Sequence, residues 1–280
     1  MCSSDLINSD GIADFAAGWP RGSQTPGWGG GFISLHSGRD GKHLRSLGGR
    51  QGLAAMGTAL ASTADYDGDQ LPDLLAGAPF AHGRAPASGV ATVYSTTKGT
   101  PIYHFSSSEP YSEFGSAVCG LGDTNGDDWP DLLVGAPGTD GGGIDRGALY
   151  LYSGVDGQLL ARINGKYDGG RLGSAVCSLG DIDGDGRADF AAAAPGKAMI
   201  GSGFVVIYSG ATFEVIREFS GLSSDGGFGL GLCPPGDLTA DGLQDLAIGA
   251  PDVGSGRVRV CSATAGKLSL ELTRKDAAPP

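Results

Sequence analysis

The chain has 280 residues, 52 of them glycine, 40% hydrophobic content and a formal net charge of −12. The hydrophobic content argues against global disorder, the glycine share disfavours long helices, and the acidic balance disfavours a nucleic-acid partner. No apolar run of about 18 residues encodes a membrane-spanning helix, and Met1 to Asp5 lack the basic and apolar regions of a secretory leader.

The first stretch, residues 1–49, reads as an incomplete unit. Asn8, Asp10 and Asp14 end an acidic loop, and strands are predicted over 15–20, 32–37 and 42–47. Leu6 stands where a leading Asp is expected, Asp5 is one residue out of register, and the strand before the loop is missing.

Four full units follow, predicted over 50–107, 108–165, 166–221 and 222–275, with a polar tail at 276–280. Each carries an acidic loop whose leading Asp falls at 65, 123, 181 or 237, at spacings of 58, 58 and 56. In the unit starting at Phe114, strands are predicted over 114–122, 132–137, 147–152 and 158–163, with a glycine-rich turn at 138–143 and a hairpin turn at 153–157. A single four-stranded sheet cannot bury both faces, but equivalent sheets bury one another by stacking radially. The expected fold is therefore all-β: one β-propeller array over 1–275, with four full blades plus one incomplete. It reads as a piece of a larger ring; a five-bladed ring is the alternative. A parallel β-helix has much shorter rungs.

Within nine residues the loops place oxygen side chains at positions one, three, five and nine, the donor type a hard cation such as calcium requires. The sets are Asp65, Asp67, Asp69 and Asp73; Asp123, Asn125, Asp127 and Asp131; Asp181, Asp183, Asp185 and Asp189; and Asp237, Asp241 and Asp245, with Thr239 in third place. Ordinary Asp/Asn/Gly turns would explain one such loop. Four in phase crowd carboxylates that repel one another unless a counter-ion is present. Calcium-binding helix–loop–helix units need a following helix, and the residues after each loop are β-like. Cys119, Cys177 and Cys233 each precede a leading Asp by four residues and read as one small buried position used three times.

The motifs Phe114-Gly115 with Gly135-Ala136-Pro137, and Phe228-Gly229 with Gly249-Ala250-Pro251, bracket these loops; Met56-Gly57 with Gly77-Ala78-Pro79 and Leu172-Gly173 with Ala193-Ala194-Pro195 are variants. The pattern covers nearly the whole chain and resembles the FG-GAP repeat of integrin α-type β-propellers. The resemblance implies a propeller, typically of seven blades, with structural calcium in loops between the first and second strands. It carries the ligand roles onto the residues above and adds the backbone carbonyls of Leu71, Trp129, Arg187 and Leu243. Thr239 predicts weaker binding in its loop. Gln70 and Asp128 replace the glycine favoured at the sixth position, and loop 181–189 reads as the best site.

The functional expectation is a non-catalytic, extracellular or cell-surface binding and adhesion module. Its protein or glycan partner would dock on loops 21–31 (with Trp19 and Trp28), 80–88, 138–146 and 196–202, with no nucleic-acid partner and no membrane insertion. Alternatives are a scaffold segment of a large surface protein, or the propeller of a calcium-dependent polysaccharide-degrading enzyme. No catalytic residue is assigned, because His36, His43, His82 and His104 show no recognisable pairing with Cys or Ser.

Overall fold

The computed structural model describes residues 3–4, 7–8, 10–22, 29–48, 53–196, 203–222, 227–251, 256–264 and 268–273. These residues form twenty strands and, among the described residues, no helix. The first sheet contains β1 (Ser3–Ser4), β2 (Asp14–Trp19), β3 (Phe32–His36) and β4 (His43–Leu47). The second contains β5 (Ala59–Ser62), β6 (Leu74–Ala78), β7 (Val90–Tyr94) and β8 (Pro101–Ser106), and the third β9 (Ala117–Gly120), β10 (Leu132–Ala136), β11 (Ala148–Tyr152) and β12 (Leu159–Asn164). The fourth contains β13 (Ala175–Gly180), β14 (Asp189–Ala194), β15 (Phe204–Tyr208) and β16 (Val215–Ser220). The fifth contains β17 (Gly231–Cys233), β18 (Asp245–Ala250), β19 (Arg257–Ser262) and β20 (Leu268–Thr273). Within each sheet every strand pairs antiparallel with its sequence neighbours, so each sheet is a four-stranded meander.

The first strands β5, β9, β13 and β17 touch in succession, and β2 touches β5, which stacks the sheets side by side as blades around their inner edges. The core lies between blades. Tyr150 and Tyr152 of β11 pack with Leu75, Ala91 and Val93 of the second blade. Leu149 and Leu151, from the opposite face of the same strand, pack with Leu172, Phe190 and Ala192 of the fourth. A strand covered on both faces explains why β11 reads as a continuous apolar run, whereas the outermost strand β12 alternates.

Two expectations change. The first blade has an inner strand after all: β1 pairs Ser3 with Phe15 and Ser4 with Asp14. Two polar residues carry no apolar periodicity, so the sequence pattern does not show them. In the third blade, the stretch predicted as one strand from 114 divides. Phe114 forms a parallel bridge to Gly89 of the preceding blade, and the strand proper starts at Ala117. Met56 and Leu172 repeat this hook onto Gly31 and Gly147.

The hook explains the paired Phe-Gly and Gly-Ala-Pro motifs. Phe114 is fully buried, edge-on to the rings of Tyr150 and Tyr152. Gly115, at φ 90, donates its N–H to the Gly135 carbonyl 2.9 Å away, joining the two motifs within the blade. Across the junction, Gly135 lies against Gly173 of the next blade so closely that a Cβ would run into the Gly173 carbonyl oxygen. Gly77 meets Gly115 in the same way. The second strand of one blade and the turn leading into the next blade approach backbone to backbone, which only glycine allows.

Candidate metal centre

Each acidic loop joins the first and second strands of a blade and is organised by its own aspartates. The leading carboxylate gathers loop amides. Asp65 accepts from Gly68 at 2.7 Å and Gln70 at 2.7 Å, Asp123 from Gly126 at 2.6 Å and Asp128 at 3.1 Å, Asp181 from Gly184 at 2.7 Å and Gly186 at 2.9 Å, and Asp237 from Asp241 at 3.1 Å and Gly242 at 2.8 Å. The fifth-position carboxylate accepts the seventh residue's N–H: Leu71 to Asp69, Trp129 to Asp127, Arg187 to Asp185 and Leu243 to Asp241, at 2.8–3.0 Å. The sixth position is left-handed in every loop, at φ 68 for Gln70, 67 for Asp128, 84 for Gly186 and 86 for Gly242. Gln70 and Asp128 thus adopt the turn that glycine takes more readily.

The ninth-position Asp is fully buried in all five blades: Asp14, Asp73, Asp131, Asp189 and Asp245. One carboxylate oxygen accepts the second residue's N–H, from Ile7, Tyr66, Thr124, Ile182 or Leu238, at 2.7–3.2 Å. The other oxygen of Asp14, Asp131 and Asp189 accepts an N–H from the turn between the third and fourth strands, at Gly38, Gly154 and Gly210. This residue therefore pins the acidic loop to the adjacent hairpin.

Asp73 breaks the pattern. Its Oδ1 is buried without a hydrogen-bond partner, as is Oδ1 of Asp67. Burial, together with the charges of Asp67, Asp69 and Asp65, pushes the Asp73 carboxyl up to about 7. Burial also raises Asp131 and Asp189.

Two groups bring three carboxylate oxygens within 4.8 Å of one another: Asp65, Asp67 and Asp69, and Asp181, Asp183 and Asp189. Among the described residues, loops 123–131 and 237–245 form no such group. In the latter, Thr239 turns its hydroxyl onto Asp245 at 3.1 Å. In the former, the Asn125 amide is bonded to Asp127 at 2.9 Å. In the first blade, Asn8, Asp10 and Asp14 keep the loop geometry, but Arg39 pairs with Asp10 at 3.4 Å. Leu6 and Asp5 lie outside the described residues, as do Trp28, 197–202 and 276–280.

Sequence reasoning missed the groups that reach these loops from elsewhere. The Thr97 hydroxyl donates to Asp69, and the Lys98 ammonium sits 2.8 Å from Asp67, holding that carboxyl below its usual range. Ser262 and Thr264 donate to Asp241, which is lowered by these contacts and the Leu243 amide. A signal was available: a buried Ser closes the third strand in every unit, at Ser37, Ser95, Ser153, Ser209 and Ser262. Cys233 is exposed rather than buried like Cys177, because no described blade covers the far face of the fifth sheet. Two histidines do meet serines: His36 Nε2 lies 3.0 Å from Ser34 Oγ, and His43 Nε2 lies 2.8 Å from Ser46 Oγ. The Ser34 hydroxyl also accepts the Trp19 indole N–H, and the other ring nitrogen of His36 faces the Gly41 carbonyl, so no carboxylate orients the ring.

Radially stacked four-stranded blades, each with an acidic loop between its first two strands, define a β-propeller. Solved structures share the fold, among them the C-terminal WD40 domain of Sif2 at a TM-score of 0.50, with 14% identity over 88% of this chain and 53% of that one, and Saccharomyces cerevisiae Sqt1 at 0.58, with 13% identity over 95% and 58%. The FG-GAP repeat pattern matches residues 56–94, 114–152, 172–208 and 228–261, more than half of the sequence, and the chain belongs to the FG-GAP repeat family. Integrin alpha-V of Gallus gallus is 31% identical over 201 residues and integrin alpha-5 of Xenopus laevis 29% over 227, spanning 66% and 75% of this chain. The chain spans 19% and 21% of those relatives' lengths.

Proposed function

We propose that the chain is a calcium-stabilised binding module of the cell exterior. The observation that carries the calcium reading is loop 65–73, where two buried carboxylate oxygens, on Asp67 and Asp73, have no partner beside three clustered aspartates. Leaving such groups unsatisfied is costly, and a hard divalent cation is the ligand their chemistry fits. Asp65, Asp67, Asp69 and Asp73, with the Leu71 carbonyl, would hold the ion there; Asp181, Asp183, Asp185 and Asp189, with the Arg187 carbonyl, would hold a second. The ion would supply charge neutralisation, tying the loop to the blade. Loops 123–131 and 237–245 use Asp123, Asn125, Asp127, Trp129 and Asp131, and Asp237, Asp241, Leu243 and Asp245, in the same roles with fewer free oxygens. Exposed loops of this kind suit the millimolar calcium outside cells.

The integrin alpha relatives support a binding rather than a catalytic role. The partner surface is the end opposite the acidic loops, where the second-to-third and fourth-to-first connections emerge. It exposes Trp19, Phe80, Tyr111 and Ile144, the last two about 70% accessible. Large exposed apolar side chains on this face fit a protein or glycan partner. Calorimetric titration of the chain with calcium, and melting with and without EDTA, test the metal reading: binding heat and a higher melting temperature in calcium are expected. Identical melting curves and no heat would refute it.

A further inference from the structure

Arg187 has a position that the loop pattern does not require. It is the seventh residue of loop 181–189, where only the backbone has a proposed role, yet its side chain leaves that loop and enters the preceding blade's. Its Nη1 lies 2.8 Å from Oδ2 of Asp123, the leading carboxylate of loop 123–131. The guanidinium covers Gly126 closely enough that a Cβ there would collide with it. The contact is held from the backbone as well, since the Ala188 N–H donates to the Asp123 carbonyl at 3.1 Å. Asp123 is about four-fifths buried and Arg187 two-thirds buried, so water screens the pair only in part. Among the described residues, no Lys or Arg pairs with the carboxylates of Arg187's own loop.

We infer that Arg187 is a built-in competitor for the cation of loop 123–131: its guanidinium neutralises Asp123 in the ion-free chain and weakens divalent binding there, while loop 181–189 keeps its full negative charge. The inference rests on the calcium reading of these loops. Two charge effects act in the same direction. An ion entering loop 123–131 must displace the guanidinium from Asp123 or bind beside a positive charge, and either lowers affinity. No such penalty applies in loop 181–189. Two neighbouring sites built on the same loop pattern are thereby set further apart in affinity.

Loop 123–131 contains its own reporter. Trp129 is the seventh residue of that loop, and no other acidic loop of the full units contains a tryptophan. Terbium serves as the probe, with tryptophan-selective excitation and calcium as competitor. The emission that Trp129→Phe removes reports on this loop alone. Arg187→Ala is expected to tighten terbium and calcium in loop 123–131 about tenfold, and Arg187→Lys to stay near wild type. In EDTA, Arg187→Ala should melt below wild type, because Asp123 loses its partner; in saturating calcium the gap should close or reverse. A purely structural arginine would lower both melting temperatures and leave affinity unchanged or weakened. Unchanged or weaker binding in Arg187→Ala overturns the inference. So does a loop that stays dark in both proteins while calorimetry registers calcium elsewhere. No heat and no emission in either protein would overturn the calcium reading along with it.

Discussion

Asp73 and Asp131 hold the same place in adjacent blades and are both fully buried, yet replacing each with Asn should have opposite effects. Asp131 is fully engaged: Oδ1 accepts the Gly154 N–H at 3.1 Å, and Oδ2 accepts the Thr124 N–H at 2.9 Å and its hydroxyl at 2.5 Å. An amide there must turn its NH2 toward a donor, at a cost of about 2–4 kcal/mol. Asp73 accepts only the Tyr66 N–H at 2.7 Å, which an Asn oxygen can still do, and its Oδ1 has no partner. In the folded chain Asp73 keeps its proton up to about pH 7, against 3.8 as the ordinary value. Between those values the folded state binds more protons than the unfolded state, so stability falls as pH rises. The charged carboxylate then costs up to about 4 kcal/mol above pH 7 and almost nothing below about pH 4. Urea denaturation in EDTA should therefore show Asp73→Asn more stable than wild type above pH 7, with the gain shrinking as pH falls toward 4, and Asp131→Asn less stable. In calcium the Asp73→Asn gain should invert, because the ion would satisfy the oxygen that the variant lacks. A destabilised Asp73→Asn in EDTA, or a gain independent of pH, would refute the claim that this carboxylate is strained without an ion.

Two further outcomes test the blade junctions and their edges. Gly135→Ala drives a methyl into the Gly173 carbonyl of the next blade and should cost about 2–4 kcal/mol by denaturant unfolding. Gly249→Ala, whose nearest neighbour would be 3.6 Å away, should be neutral or stabilise by up to about 1 kcal/mol; equal losses at the two positions would mean that backbone contact across the junction is not the reason for glycine. In a Cys2→Ser background, Cys233 should react with DTNB in the native chain, whereas Cys177, whose thiol burial pushes up, and buried Cys261 should react only on unfolding. Rapid labelling of Cys177 would contradict its place between the fourth and fifth blades.

Periodicity alone was enough for the repeat unit, the strand order and the placing of the aspartates. Strands such as Leu132–Ala136 and Ala148–Tyr152 lie within a residue of their apolar runs, because burial on both faces writes itself into consecutive side chains. The first-position and fifth-position aspartates shape their loops through amides close in sequence. The tertiary structure alone could show which carboxylate oxygens are already used. Gly154 reaches Asp131 across 23 residues, Lys98 reaches Asp67 across 31, and Arg187 reaches Asp123 from another blade across 64. A carboxylate's need for a cation depends on every donor that points at it, and donors brought together by folding leave no mark at the loop's own nine positions. For the same reason two loops with the same spacing of oxygen side chains, 65–73 and 123–131, differ: one keeps buried oxygens without partners, and the other has its Asp123 claimed by the blade beside it.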